Sequence, residues 1–331
     1  MIPEAWTRRG LLRSLGALGL TGAVSALRAA EPPPETKRIR LIRYAPFDVA
    51  CLSPMWMAEE LLRAEGFDDV RYVPLTTPNF EMLTAGEVDI AQSDIFSILP
   101  ALDRGTPIVT LGGIHGGCYE LFATTGLRSV RDLKGRKVAA ANVGRRAFVA
   151  AMVAHVGLDP HQDITFVDSR DGVNLLSQGK VDAVLGFPPE PQLMRARKIG
   201  VSIVNTATDR PWSQYFCCMA IGNRDFVARH PVATKRALRA LVKAADICAA
   251  EPERVARTLV ERGFYKDYEF SAQALKDIPY KRWREYDSAD SMRFYALRLH
   301  EAGMIKSNPQ KLIAANTDWR FIEQLKKELK A

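Results

Sequence analysis

The chain has 331 residues, of which 47% are hydrophobic and 25% are charged. These proportions are typical of a folded globular protein and exclude a disordered chain, a collagen-like repeat and a membrane protein with several spans. The formal charge is +8, but the basic residues are scattered rather than grouped in a stripe, so we expect no nucleic acid partner. The length predicts about two domains, each able to bury its own core.

The first 30 residues have the features of an export signal. Arg8 and Arg9 precede the uncharged apolar run Leu15–Leu27, which has the ~13 residues of a signal-peptide core and falls short of the ~20 that a membrane helix needs. The segment Thr7–Arg13 resembles the twin-arginine export motif, and an ordinary secretory signal is the alternative. Residues 1–30 are therefore predicted to direct the chain to the periplasm, with the signal either cleaved or kept as a membrane tether.

A proline-rich linker at residues 31–37 leads into a first alternation of strand and helix patterns. Short apolar runs predict the strands, and apolar positions at helical spacing that end at a glycine predict the helices. In chain order we expect strand Ile39–Tyr44, helix Pro54–Glu65, strand Val70–Leu75, helix Phe80–Ala85, strand Val88–Gln92, helix Ile95–Arg104 and strand Ile108–Ile114. This order is typical of a parallel sheet covered by helices.

A second alternation follows and gives way to a helical C-terminal region. It begins after Tyr119–Thr125, where the chain is expected to cross between the lobes. Its strands are predicted at Lys137–Ala141, Ile164–Val167, Val181–Phe187 and Ser202–Asn205, its helices at Ala147–Val156, Gly172–Gln178 and Pro191–Ile199, and a return strand at Cys217–Gly222. Further helices are predicted at Pro231–Ala250, Glu253–Arg262, Ala272–Ile278, Ser288–Ala302 and Thr317–Lys330. We therefore expect an α/β fold with residues 38–122 and 220–331 in lobe one and residues 123–219 in lobe two. The cleft between the lobes is the expected ligand site, because ligands of open α/β sheets bind beyond the carboxyl ends of the strands.

Three short segments, Leu83–Ala91, Val130–Val138 and Leu175–Ala183, each contain a glycine just before the apolar start of a strand. With the export signal, they resemble periplasmic substrate-binding proteins of ABC importers for nitrate, alkanesulfonates and taurine. That group shares its domain with proteins that bind or make the thiamine pyrimidine precursor. The resemblance implies a bilobed type II periplasmic-binding-protein fold that closes on a small-molecule ligand. It further implies a monomer without catalytic residues or cofactor, with an ABC permease and, indirectly, its ATPase as partners.

Two predicted strand-to-helix loops carry the strongest candidates for ligand binding. Ser93 and Asp94 end a strand where a helix begins, and free backbone N–H groups at such a point bind anions. Asn142, Arg145 and Arg146 repeat the arrangement in lobe two and add two cations. An arginine that reaches a carboxylate or sulfonate makes a bidentate, charge-assisted contact. Plain helix capping and solvent-exposed arginines are the alternatives.

The remaining candidates lie in other loops that the two-lobed arrangement directs toward the cleft. They are Phe47 after the first strand, His115 and Glu120 where the chain leaves lobe one, Phe187 and Glu190 on a proline-rich loop, and Trp212 and Tyr215 beside the second crossing. Flat aromatic walls combined with one or two arginines predict a small organic anion as the ligand. Burial of these aromatic rings in the core is the alternative.

The five cysteines do not indicate a disulfide framework, because their number is odd and no CxxC is present. His115 and Cys118 have a spacing found in metal sites and in Cys–His nucleophile pairs, but no second pair of this kind lies nearby in the sequence. We therefore expect neither a metal site nor a catalytic cysteine. Cys217 and Cys218 are interpreted as buried free thiols.

Two other functions stay open. The first is an enzyme of the same fold that binds or makes the thiamine pyrimidine precursor. The resemblance implies that such an enzyme uses iron held by a cysteine-rich segment, of which this chain has only the pair Cys217 and Cys218. The second is a ligand-sensing partner of a membrane receptor, which the sequence does not separate from a transport protein.

Overall fold

The computed structural model describes residues 31–44 and 49–330. The export signal predicted at residues 1–30 and the candidate Phe47 lie outside the described residues. From Pro34 onward, the described chain forms one compact unit. No helix in it combines the length and the apolar character that crossing a membrane requires.

Apart from β5, which lies in the segment expected to cross between the lobes, the strands lie within about two residues of their predicted positions, because short apolar runs bounded by turn residues mark them clearly. They are β1 (Arg38–Arg43), β2 (Asp69–Pro74), β3 (Ile90–Asp94), β4 (Ile108–His115), β5 (Glu120–Ala123), β6 (Arg136–Ala139), β7 (Ile164–Val167), β8 (Ala183–Gly186), β9 (Val201–Asn205) and β10 (Cys218–Asn223).

The helices also follow the predicted order, with three differences. They are α1 (Ser53–Met57), α2 (Glu59–Ala64), α3 (Asn79–Thr84), α4 (Ile95–Asp103), α5 (Val143–His155), α6 (Gly172–Ser177), α7 (Glu190–Arg197), α8 (Arg224–Arg229), α9 (Pro231–Ala250), α10 (Pro252–Glu261), α11 (Tyr268–Asp277), α12 (Ser288–Glu301), α13 (Pro309–Asn316) and α14 (Arg320–Glu328). The helix predicted at Pro54–Glu65 is interrupted at Ala58, which separates α1 from α2. Helices α8 and α13 were not predicted.

The strands form three sheets: one is parallel, one is antiparallel and one is mixed. β1 pairs with β2 in parallel, β10 runs antiparallel between β3 and β4, and the third, mixed sheet has the order β7-β6-β8-β5-β9. β5 is antiparallel to both of its neighbours. The parallel sheet expected for the first alternation is found only at β1 and β2, because the returning strand β10 separates β3 from β4.

This topology places strand ends and helix starts at a common edge. β10 is antiparallel to β3 and β4, so its first residue lies beside their last ones: Cys218 is opposite both Asp94 and His115. The C-terminal helix α12 packs against α4 and α5, which start after β3 and β6. The antiparallel sheet β3-β10-β4, α4 and α5 thus converge on one region. The exact lobe boundaries at residues 122/123 and 219/220 stay a prediction.

Candidate functional site

A cleft of about 610 Å³ opens at this region, a volume within the usual range for small-molecule sites. One side is formed by the segments after β1 and β2 and by the end of β3, and the other side by residues from the third sheet and its loops. Four of the predicted site residues line it: Ser93, Asp94, Asn142 and Phe187. The other lining residues are Tyr44, Val49, Cys51, Leu52, Leu75, Thr76, Thr77, Pro78, Asn79, Gln92, Ser97, Arg170 and Cys218.

The two predicted helix starts meet at the cleft. The Asp94 carboxylate caps α4 by accepting hydrogen bonds from the Ser97 N–H at 2.9 Å and the Ser97 hydroxyl at 2.8 Å. The Asn142 side-chain oxygen caps α5 by accepting from the Arg145 N–H at 2.9 Å. A Cβ atom at Gly144 would lie 2.1 Å from Ser97 Oγ and 3.1 Å from Asp94 Oδ1. The first turns of α4 and α5 are thus in direct contact, and glycine at position 144 makes that contact possible.

Burial dominates the electrostatics of this contact. Removal from water raises the pKa of Asp94, although the Ser97 hydrogen bonds and the charge of Arg145 act in the opposite direction. The carboxyl group is therefore more readily protonated than a solvent-exposed one.

The two predicted arginines have partners within the protein. Arg145, whose side chain is 16% exposed, forms an ion pair with Glu190 at 3.0 Å and lies over the Phe187 ring, 5.6 Å from its centroid. Arg146 forms an ion pair with Asp168 at 3.1 Å. Neither arginine lines the cleft. Glu190 also accepts a hydrogen bond from the Phe187 N–H, so this candidate fixes the loop rather than facing the cavity.

Three other candidates lie outside the cleft lining. Glu120 is buried and forms an ion pair with Arg195. Trp212 is 4% exposed and packs among aromatic rings. Tyr215 is half-buried and stacks on Phe294 with 4.0 Å between the ring centroids. The contacts of Trp212 and Tyr215 pack this segment against α12.

Arg170 is a cleft residue that the sequence analysis did not select. It is exposed and lines the cavity, and among the residues that the structure describes no carboxylate forms an ion pair with it. Arg170 lies in the loop after β7. The other candidate loops were selected because they follow predicted strands, and the same criterion applies to this loop. Unlike Arg145 and Arg146, Arg170 keeps its charge available to a ligand.

A buried cluster of one histidine and three cysteines adjoins the cavity. One ligand atom from each of Cys51, His115, Cys118 and Cys218 lies within 4.8 Å of all the others. Cys51 and Cys218 also line the cleft, whereas His115 is completely buried. The expectation that no metal site exists rested on spacing along the chain. The fold instead assembles these residues from three separate segments.

The cluster perturbs the acidity of its own members. Burial by itself raises the pKa of the Cys51 thiol, but hydrogen bonds from Cys118 and Cys218 outweigh it and lower that pKa to about 7. Burial by itself lowers the pKa of His115, and the neighbouring Cys218 sulfur reverses the effect, which brings it to about 9. Such mutual perturbation is typical of functional groups held together in a cavity.

A sequence comparison decides the family. The profile of the family described as NMT1/THI5 like matches residues 62–255, which is more than half of the chain. The chain belongs to the NMT1/THI5-like family. A curated relative of this NMT1/THI5-like protein is the 4-amino-5-hydroxymethyl-2-methylpyrimidine phosphate synthase THI13 of Saccharomyces cerevisiae, 23% identical over 236 residues. The match covers 65% of this chain and 66% of that relative, so it spans about two thirds of the curated protein.

Solved structures establish the fold of this NMT1/THI5-like protein. The alkanesulfonate-binding protein SsuA from Xanthomonas axonopodis pv. citri, bound to MOPS, superposes with a TM-score of 0.68 at 16% identity and covers 88% of this chain and 100% of its own. The periplasmic nitrate-binding protein NrtA from Synechocystis PCC 6803 gives a TM-score of 0.72 at 15% identity and covers 90% of both chains. The predicted family resemblance and the bilobed type II periplasmic-binding-protein fold are confirmed.

Proposed function

We propose that this chain is a periplasmic solute-binding protein that takes a small organic anion, a sulfonate or carboxylate, into the cleft and delivers it to an ABC import permease. The observation that carries the proposal is Arg170, a guanidinium that lines the cleft and forms no ion pair within the described residues. A planar guanidinium matches the two oxygen atoms of a carboxylate or sulfonate. The protein would act as a monomer.

The remainder of the cavity suits an anion with an apolar body. The positive ends of α4 and α5 meet at the cleft edge, where Ser93, Asp94 and Asn142 lie, and helix N-termini favour negative charge. Phe187, Leu75 and Tyr44 add apolar surface. The names of two structural neighbours, an alkanesulfonate-binding and a nitrate-binding protein, agree with an anionic ligand.

The division of the site supports a closing motion. Ser93 and Asp94 end β3 of the antiparallel sheet, whereas Asn142, Arg170 and Phe187 follow strands of the third sheet. A ligand that contacts both sets draws the lobes together, because neither lobe makes all the contacts alone. Release to the permease would require the first turns of α4 and α5 to separate.

A titration with and without Arg170 tests the anion site. We expect Arg170→Ala to weaken binding of alkanesulfonates and short carboxylates about ten- to a hundredfold by calorimetry, because a hydrogen bond to a charged group contributes roughly 1.5–3 kcal/mol. Arg197→Ala, an exposed arginine outside the cleft, should bind as the unaltered protein does. Equal affinity in Arg170→Ala, or binding of cations alone, would contradict the proposal.

An enzyme is the second candidate. The observation in its favour is the Cys51–His115–Cys118–Cys218 cluster beside the cavity, together with the pyrimidine phosphate synthases among the curated relatives. Mass spectrometry of the ligand after prolonged incubation separates the two functions. A binding protein returns the ligand unchanged, and an enzyme releases a product. A receptor-associated sensor would bind the same anion but would lack permease and ATPase genes beside its own.

A further inference from the structure

We propose that Cys51, His115, Cys118 and Cys218 bind one Zn²⁺ ion at the inner wall of the cleft. The proposal does not depend on the anion or on import, because it concerns only side chains that the protein itself brings together. Three thiolates and one imidazole form one of the usual donor sets of a four-coordinate zinc site.

The spacing of the donor atoms is close to that of an occupied site. Zn–S bonds of about 2.3 Å at tetrahedral angles place neighbouring sulfur atoms roughly 3.8 Å apart. The four donor atoms here lie within 4.8 Å of one another, so side-chain adjustments of about 1 Å bring them into coordination range. All four residues are buried, and none of the four is a carboxylate.

His115 is held in the orientation and tautomer that a metal ligand needs. Its Nδ1 atom lies 2.6 Å from the carbonyl oxygen of Gly116, and a carbonyl only accepts hydrogen bonds, so Nδ1 carries the proton. Nε2 presents a lone pair once its own proton is released, which metal binding brings about. In the described part of the chain this buried Nε2 has no hydrogen-bond partner, although burial of an unpaired polar atom is unfavourable. A histidine whose second nitrogen is fixed by a carbonyl is typical of metal ligands.

The backbone around the cysteines is also fixed. Gln92 Nε2 donates a hydrogen bond to the Cys51 carbonyl at 2.7 Å, and the His115 carbonyl accepts one from the Cys217 N–H at 3.0 Å. Cys217 itself lies on the edge of the cluster, with its sulfur 3.2 Å from that of Cys118. The donor set is therefore anchored before any ion enters, which reduces the ordering that binding requires.

The net charge favours Zn²⁺ over Cu⁺, another ion that thiolates bind. Three thiolates carry three negative charges, so the occupied site would have a net charge of about −1 with Zn²⁺ and about −2 with Cu⁺. Net charge is costly to bury. Cys51 and Cys218 line the open cleft, which provides a route for the ion to enter.

Zinc would join the two segments that connect the sheets. Cys118 lies between β4 and β5, and Cys218 begins β10, on which the chain returns from the third sheet. Cys51 belongs to the segment after β1. A bound ion would thus tie both crossings to the first lobe and hold them in place while the lobes open and close.

The test is a metal titration of the full-length protein, stripped of metal with a chelator and kept reduced. We expect one equivalent of Zn²⁺ to bind in competition with a chromogenic chelator, and Co²⁺ to give the visible absorption bands of a tetrahedral thiolate site. Cys51→Ala and His115→Gln should each lower the zinc affinity by more than about 100-fold, because loss of an outer-shell partner alone costs about 10–100-fold. Cys248→Ala removes a buried cysteine on α9 outside the cluster and should leave one equivalent bound.

Several results would overturn the proposal. They are the absence of stoichiometric Zn²⁺ binding, equal loss of binding in Cys248→Ala, a preference for Cu⁺ or Fe²⁺ over Zn²⁺, and a disulfide that includes Cys118 in the protein as purified. Circular dichroism and thermal unfolding of each metal-free variant separate loss of the site from loss of the fold. Cys51→Ala is the safer variant because Cys51 lines the cavity. If Cys51→Ala folds as the unaltered metal-free protein does and still binds zinc with unchanged affinity, the assignment of Cys51 is wrong.

Discussion

The arginine pair beside the cleft differs from the cysteine–histidine cluster at the cleft wall. The difference is whether their polar atoms have partners within the protein. Arg145 and Arg146 each have a carboxylate partner, at 3.0 Å and 3.1 Å. In the cluster, the buried Nε2 of His115 has no hydrogen-bond partner in the described residues. The two arginines are thus paired within the protein, whereas this ring nitrogen is not.

This difference indicates where binding capacity is still available. A buried donor or acceptor without a partner costs free energy, so it persists only where packing or a ligand compensates for it. An arginine that already forms an ion pair with a carboxylate of the protein has less capacity left to bind an anionic ligand. The cluster and Arg170 are therefore stronger ligand candidates than the arginines that the loop pattern selected, and three variants test the comparison.

The largest effect is expected at Gly117, which lies between two members of the cluster. A Cβ atom at this position would lie 1.9 Å from the Thr206 carbonyl oxygen and 2.2 Å from its carbonyl carbon. Backbone atoms cannot move aside as a side chain does, so Gly117→Ala should lower the free energy of unfolding by at least about 3 kcal/mol in urea denaturation.

The neighbouring glycine provides the control. At Gly116 a Cβ atom would come no closer than 3.0 Å, to Pro279 Cγ, so Gly116→Ala should cost about 1 kcal/mol. If Gly117→Ala unfolds at the same urea concentration as the unaltered protein, the loop that holds His115 and Cys118 is not packed against Thr206 as described.

A smaller effect is expected at Gly144, where α5 meets α4. Alanine is normally favoured over glycine within a helix by about 0.5–1 kcal/mol, but here its Cβ would lie 2.1 Å from Ser97 Oγ. We expect Gly144→Ala to destabilise the protein by about 1–3 kcal/mol in thermal or urea unfolding.

A double-mutant cycle identifies the cause. Ser97→Gly removes the two Ser97 atoms that the new Cβ would meet and leaves only Asp94 Oδ1, at 3.1 Å, so Gly144→Ala should cost much less in that background. If Gly144→Ala costs the same with and without Ser97, the two helix starts are not in the contact described.

The sequence predicted the order of the elements well and the partners of the site residues poorly. Strands such as β7 and helices such as α9 were predicted to the residue, because apolar periodicity and glycine stops are local signals. The antiparallel directions of β5 and β10 depend on where the chain returns to a sheet, which no local pattern encodes.

The same reasoning explains the cysteine cluster. Cys51, His115 and Cys218 are far apart in the sequence, and a search for closely spaced ligands passes over them. Their common position could have been found from topology, since each lies at a strand end or in the segment after a strand, on one edge of the molecule. The ion pairs of Arg145 and Arg146 are likewise tertiary, because Glu190 and Asp168 follow other strands.

The smallest effect on stability is expected for a substitution of Glu190, which should also raise the affinity for an anion. Glu190→Gln keeps an oxygen that can accept the Phe187 N–H but removes the charge that neutralises Arg145. The pair is only partly buried, so we expect a loss of about 1 kcal/mol in unfolding free energy. The freed guanidinium, adjacent to the cleft, should then raise the affinity for an anion by up to about tenfold in calorimetry.

Asp168→Asn is the matched control, because Asp168 is 71% exposed and its pair with Arg146 lies farther into solvent. It should change stability by no more than about 0.5 kcal/mol and leave anion affinity unaltered. Lower anion affinity in Glu190→Gln would mean that the Arg145–Glu190 pair shapes the cleft rather than competing with the ligand.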